Sequence, residues 1–243
     1  MMRDLFPQST CMLASVLSAD EAVEAAEGGA CVIDVKNPFE GALGAPLPSV
    51  IREIRSVTPG DLHVSAALGD MPCLPGTAAL AALGAASAGA TILKVGLYGP
   101  SNEKEAFDLL DAVTGTLEDF FPGSVLVAGA YADAAGFGGV DPLDVPRCSA
   151  RAGAAGCLLD TFDKSSGRGL LDLLGIDIVE CFVKRCREHG LFCALAGSLG
   201  PEDVSMLLPL GPDYLGFRGA LCSGGRTSSL VRKKVESLAA LMA

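Results

Sequence analysis

The stretch CVIDVKNPFEGALG, residues 31–44, decides how the rest of the chain is read. Its apolar start, Cys31, Val32 and Ile33, runs into Asp34, Val35 and Lys36, and Asn37 and Pro38 then stop it. That is the pattern of a buried parallel strand delivering polar groups at its carboxyl end. Side chains alternate faces along a strand, so Asp34 and Lys36 point the same way. A carboxylate and an amine so placed at an inner strand tip suit carbonyl chemistry, in which the amine forms a Schiff base and the acid moves protons around it.

Seven further apolar runs of the same kind lie at residues 11–17, 63–69, 92–97, 125–132, 157–161, 192–197 and 214–218. Helical stretches separate them. Ser18 caps the first ahead of acidic Asp20 and Glu21, and Gly28 and Gly29 close it. Others are read over 49–57, 76–88, 102–121, 176–189, 201–208 and 232–242. Eight strands alternating with helices in 243 residues predict an α/β fold, a single (β/α)8 TIM barrel spanning residues 1–243. The loops at 131–146 and 163–174 are long and Gly-rich enough to cover an active site.

Composition narrows the function. A net charge of -11 argues against nucleic acid or an anionic membrane as partner, because both repel an acidic surface. The nine cysteines are scattered without a CxxC pair and read as reduced core residues of a cytoplasmic protein, not as a disulfide or zinc framework. The amino terminus lacks a leader's basic start and sustained apolar region. The Ala-rich run 77–93 is broken by Gly and Ser and ends at Lys94, so it reads as a helix and then a strand, with no membrane span. Only His63 and His189 are present, which disfavours a His-based metal centre or triad; no metal and no cofactor are expected.

In such a barrel the site lies at the carboxyl ends of the strands. The second strand brings Asp34 and Lys36, the fourth Lys94 in ILKVGLYG, the fifth Tyr131 and Asp133, and the sixth Asp160 in CLLDTFDK with Lys164 just beyond. Three lysines and two aspartates are therefore expected around one cavity. Crowded lysines lower one another's pKa and leave one neutral and nucleophilic. The plainer alternative is that Lys36 and Lys94 only balance Asp34 and Asp160 in a buried ion network. The seventh and eighth strands end in LAGSLGPED and LGFRGALCSGG, where Gly197, Ser198, Arg218 and Gly219 form an expected phosphate site. Glu40 and Asp70 are read as loop carboxylates at the upper rim, and Asn37, Pro38 and Gly41 as shaping the turn that fixes Lys36.

These segments resemble the (5-formylfuran-3-yl)methyl phosphate synthases. The resemblance runs nearly the length of the chain, through EGGACVIDVKNPFEGALGA, VSAALGD, PGTAALAALGAASAGA, ILKVGLYG, AYADAAGFGGVDP, LLDTFDK, LAGS and FRGALCSGG. It implies a metal-free, aldolase-like lyase that joins two glyceraldehyde 3-phosphate molecules into one phosphorylated furan aldehyde, losing phosphate and water, for the one-carbon carrier methanofuran. By motif, Lys36 in DVKNP is similar to the family's Schiff-base lysine and Lys94 in KVGLYG to its proton acceptor, while Asp34, Asp160 and Lys164 match its remaining catalytic positions. Fold analogy alone points elsewhere, since imine aldolases of this fold usually carry their lysine on the sixth strand, where this chain has Asp160. The alternatives are an ordinary imine aldolase of sugar phosphates and a non-catalytic phosphosugar-binding barrel. A homo-oligomer is expected because most soluble assemblies are symmetric.

Overall fold

Alternation within the strands builds two apolar layers. Along the second strand Ile33 and Val35 pack outward with helix residues such as Ala22, Ile51 and Ile54, whereas Val32 packs inward with Leu13, Ile92, Val127, Leu158, Phe192 and Tyr214. The computed structural model describes residues 5–243; the first four, which belong to the leader reading and to the 1–243 span, lie outside the described residues. The strands are β1 Cys11–Val16, β2 Val32–Val35, β3 His63–Asp70, β4 Ile92–Gly96, β5 Val125–Tyr131, β6 Gly156–Asp160, β7 Phe192–Leu195 and β8 Tyr214–Phe217. All neighbouring pairs are parallel and β8 closes on β1, so the sheet is a complete barrel without edges.

The helices are α1 Ala19–Glu27, α2 Pro48–Val57, α3 Pro75–Ser87, α4 Glu103–Phe120, α5 Val145–Arg151, α6 Leu170–Leu173, α7 Ile176–Glu188, α8 Pro201–Leu207 and α9 Arg232–Met242. Their starts follow local chemistry. Ser18 Oγ accepts the Glu21 amide at 3.3 Å and Asn102 Oδ1 the Glu105 amide at 3.0 Å, each satisfying a donor of the first turn. Glu21 and Glu105 sit in those turns, where negative charge suits the helix dipole. Between β5 and β6, read from the sequence as loop until Pro146, the chain forms a 3-10 turn at Ala134–Phe137 and then α5. A seven-residue helix is too short to print an apolar period, and its proline sits in the first turn, where the missing N–H costs nothing. Asp70 closes β3 and is not in a loop. Among the described residues no helix is long and apolar enough to cross a membrane.

Candidate active site

Register brings the first polar group together. Ser15, Asp34 and Ser65 face one another across β1, β2 and β3. The Ser15 hydroxyl donates to Asp34 Oδ2 at 2.8 Å and the Ser65 hydroxyl to Oδ1 at 2.6 Å. Lys94, one strand further, sets its Nζ 2.5 Å from Asp34 Oδ1, and both side chains are almost fully buried. Burial raises the Asp34 pKa, but the Lys94 and Lys36 charges and the Lys94 and Ser65 hydrogen bonds outweigh it and hold the carboxyl below its usual value.

A second pair forms at β6. Lys164 Nζ lies 2.5 Å from Asp160 Oδ1 and donates to Thr161 Oγ1 at 2.7 Å, while the Thr161 amide donates to Asp160 Oδ1 at 2.7 Å. The Lys164 and Lys36 charges, with these hydrogen bonds, overcome burial and keep Asp160 below its usual pKa. Lys36 stands between the two carboxylates, half-buried, and among the described residues its amine has no hydrogen-bond or ion-pair partner. Burial lowers its pKa to about 8; Asp160 and Asp34 oppose that shift, while Lys94 and Lys164 add to it. An unpaired amine poised near neutrality beside two ionised carboxylates is the arrangement that imine chemistry needs.

The segment carrying Lys36 is gripped from both sides. The Asn37 amide donates to Gly44 O at 2.8 Å, closing the turn. Asp70, at the end of β3, accepts the amides of Ala42 at 2.8 Å and Leu43 at 3.1 Å and also the Tyr131 hydroxyl. Gly41 has φ +150, and a Cβ there would collide with the Asp70 carboxylate. Gly96 in the KVGLYG segment likewise leaves room for the Tyr131 hydroxyl. From the other side, Arg226 Nη2 donates to Gly41 O at 2.8 Å and Pro38 O at 3.4 Å. Asp70 is thus a brace for the turn, and within it Glu40 Oε1 accepts from the Asn37 side-chain Nδ2 at 3.1 Å.

The cavity at the barrel mouth has a volume of about 440 Å³. Asp34, Lys36, Lys94, Asp160 and Lys164 all line it, opposite Gly197, Ser198, Arg218 and Gly219. Gly197 (φ +106) and Ser198 (φ +57) are consecutive left-handed residues, and Ser198 is the one non-glycine among the described residues with positive φ. A Cβ on Gly197 would press on Thr161 Cγ2 at 2.9 Å. Arg218 corrects the sequence reading. Its guanidinium is bidentate on Glu21, at 2.5 and 3.1 Å, and also donates to the carbonyls of Ser15, Arg226 and Ser228, so its fork has no donor left for phosphate. Glu21 further accepts the amides of Leu17 and Leu230, which makes the pair a buried staple between β1, α1, β8 and the last loop.

Two other strand-tip groups lie off the cavity. Tyr131 is committed to Asp70, and Asp133 accepts the amides of Phe162 at 2.7 Å and Asp163 at 2.8 Å. Tyr131, Phe137 and Phe162 pack with Tyr98, whose ring stacks on Phe162 at 4.5 Å, and this aromatic group covers the β4–β6 side of the mouth. His63 begins β3 at the far end of the barrel, and His189 caps α7. All nine cysteines are free, with Cys73 exposed and the other eight at least half-buried. Arg226 went unread in the sequence; its signal was a lone arginine in the Gly- and Ser-rich loop after the eighth strand.

Fold and site together define a (β/α)8 barrel with a lysine–aspartate cluster facing glycine-rich loops at the carboxyl ends of its strands. Residues 12–239 match the family model of 4-HFC-P synthase, and the chain belongs to that family. It is 46% identical over 233 residues to the (5-formylfuran-3-yl)methyl phosphate synthase of Methanothermobacter thermautotrophicus, covering 95% of this chain and 98% of that one. The protein of the same name from Methanopyrus kandleri is 47% identical over 234 residues, covering 94% and 98%. These relatives are synthases, so the family is one of enzymes. Among solved structures, KGPDC from Streptococcus mutans superposes with a TM-score of 0.67 at 13% identity, over 96% of this chain and 97% of that one, a likeness of fold alone.

Proposed function

We propose that this protein is a (5-formylfuran-3-yl)methyl phosphate synthase that works through a Schiff base on Lys36. The observation that carries the reading is the Lys36 amine, without a partner among the described residues, between two lysine-paired aspartates, and the burial that lowers its pKa to about 8 supports it. Lys36 condenses with the aldehyde of one glyceraldehyde 3-phosphate. Lys94 or an aspartate takes the proton next to the imine, Lys94 doing so after passing its own proton to Asp34, and the protonated imine nitrogen holds the resulting electron pair as an enamine. Elimination of phosphate, aldol attack on the second triose phosphate, ring closure and dehydration then give the furan. The balance is two triose phosphates in, and one furan aldehyde phosphate, one inorganic phosphate and two waters out. Asp34, Asp160 and Lys164 trade protons in these steps, and the amides of Gly197, Ser198 and Gly219 face the retained phosphate. The product feeds methanofuran synthesis in a reducing cytoplasm, where nine free thiols persist.

The test is borohydride trapping with glyceraldehyde 3-phosphate followed by peptide mass mapping, with the untrapped mixture watched for furan absorbance. An adduct on Lys36 together with furan formation is the expected result. An adduct on Lys94 or Lys164 reassigns the nucleophile. An open-chain product retaining both phosphates makes the protein an ordinary imine aldolase, and folded protein with neither adduct nor product makes it a phosphosugar-binding barrel.

A further inference from the structure

Pairing leaves few cations on the cavity wall. Lys94 is taken by Asp34, Lys164 by Asp160 and Arg218 by Glu21, so among the described lining residues Lys36 and Arg226 remain. Glu202, the other acidic lining residue, is exposed at the rim. Lys36 cannot attack a carbonyl as a neutral amine and at the same time hold a phosphate as a cation. Arginine suits the second task, because it stays charged and its planar fork matches phosphate oxygens.

The loop between β8 and α9 is built to aim Arg226. Cys222 and Leu230 pair antiparallel at its base, the Ser223 amide donates to Ser229 O at 3.0 Å, and Ser228 Oγ donates to Gly224 O at 2.8 Å. Arg218, anchored on Glu21, holds the carbonyls of both Arg226 and Ser228 at 2.8 Å. The Arg226 side chain is half-buried. It spends Nη2 on the turn at Pro38 and Gly41, and among the described residues Nε and Nη1 have no acceptor. It lines the cavity, where burial and the Arg218 charge lower its pKa and the Asp160 and Asp70 charges oppose that only in part.

We propose that Arg226 is the residue that selects phosphorylated over unphosphorylated aldehydes, its remaining N–H groups taking the substrate phosphate while Nη2 holds the turn that carries Lys36. The inference rests on the reading of this cavity as a carbonyl and phosphate site. It makes one side chain a bridge between the phosphate end of the substrate and the segment bearing the amine.

The experiment compares wild type, R226Q and R226K in reductive trapping at Lys36 with glyceraldehyde 3-phosphate and with glyceraldehyde. It also records thermal midpoints with and without inorganic phosphate. In wild type the phosphorylated aldehyde is expected to trap at concentrations about 100-fold lower than glyceraldehyde; R226Q brings the two within about threefold, and R226K falls between. Any loss in the trapping of glyceraldehyde reports the turn contact of Nη2 and is expected to be far smaller than the loss with glyceraldehyde 3-phosphate, and phosphate raises the midpoint of wild type but not of R226Q. If R226Q retains the wild-type ratio, or weakens both aldehydes equally, Arg226 is only a support for the turn and the proposal is wrong. Should wild type trap neither aldehyde, the imine reading fails by itself; the phosphate-dependent midpoint then decides for Arg226 if R226Q abolishes it, and against it if wild type shows no shift.

Discussion

Lys94 Nζ lies 2.5 Å from Asp34 Oδ1 with both side chains buried, whereas Lys36, on the same inner face as Asp34, has no partner among the described residues. The two lysines therefore differ in kind. The paired one is fixed against its carboxylate, and burial lowers the pKa of the unpaired one to about 8. A buried pair of this sort stabilises little net, but breaking it is costly, because the surviving charge keeps its desolvation penalty.

Asp34→Asn is expected to destabilise the fold by about 3 to 5 kcal/mol, since Lys94 is left buried without its counter-charge. The double variant D34N/K94M removes both charges and is expected to recover most of that loss while remaining inactive. Urea melts of the single and double variants, read beside turnover, check this. Equal destabilisation of the two would mean that the Ser15 and Ser65 hydrogen bonds to Asp34, not the ion pair, hold this layer together.

The Lys36 pKa of about 8 sets a pH profile. Attack on an aldehyde needs the neutral amine, so kcat/KM is expected to climb about tenfold per unit below pH 7 and to level off above 8. Reductive trapping as a function of pH follows the same limb without depending on later steps. A limb centred near 10.5 would show that the lysine is not perturbed.

The barrel was legible because each strand carries its own marks: an apolar run, alternation, and a polar residue where the run stops. β2 shows this in Val32, Ile33 and Asp34, and the strand ends read from the sequence fall within two residues of the observed ones. The convergence of Asp34, Lys36, Lys94, Asp160 and Lys164 was equally legible, since in a parallel barrel all strand tips lie at one end. Pairing was not. Whether Arg218 meets phosphate or Glu21 depends on the first turn of α1 reaching the residue just past β8, a contact 197 residues apart in the chain. The brace role of Asp70 likewise depends on the β2–α2 turn folding over β3, and α5 was too short to show a period.

Lys36→Met is expected to abolish trapping and turnover and yet to stabilise the protein at neutral pH. The sign follows from linkage. With a folded pKa of about 8 against 10.5 unfolded, the unfolded chain binds the proton more tightly, so wild-type stability rises as pH passes from 8 to 10.5 and is lowest below 8. Removing the amine removes that penalty, a gain of about 1 to 2 kcal/mol after allowing for solvent screening of a half-buried group. Thermal melts of both proteins at pH 7 and pH 10 test it: the gap should be wide at the lower pH and narrow at the higher.

Asp70 touches the Lys36 segment without lining the cavity, so its substitution separates positioning from chemistry. Asp70→Ala removes the acceptor of the Ala42 and Leu43 amides and of the Tyr131 hydroxyl, and the turn then keeps only the Asn37–Gly44 closure, its internal bonds around Asn37 and Glu40, and Arg226. A displacement of order 1 Å in a reacting group costs about 100-fold, so kcat is expected to fall by roughly that factor. On the proposed reading, KM for the triose phosphate should change far less, because Gly197, Ser198 and Gly219 make no contact with Asp70 and Arg226 keeps its anchored loop. The pH limb of trapping should stay near 8, since Asp70 is not among the charges that set the Lys36 pKa. Tyr131→Phe, which leaves the two amide contacts in place, is expected to lose no more than about tenfold. If the two variants instead lost activity equally, the tyrosine hydroxyl would be the principal support of the turn, and the amide contacts of Asp70 would be secondary to it.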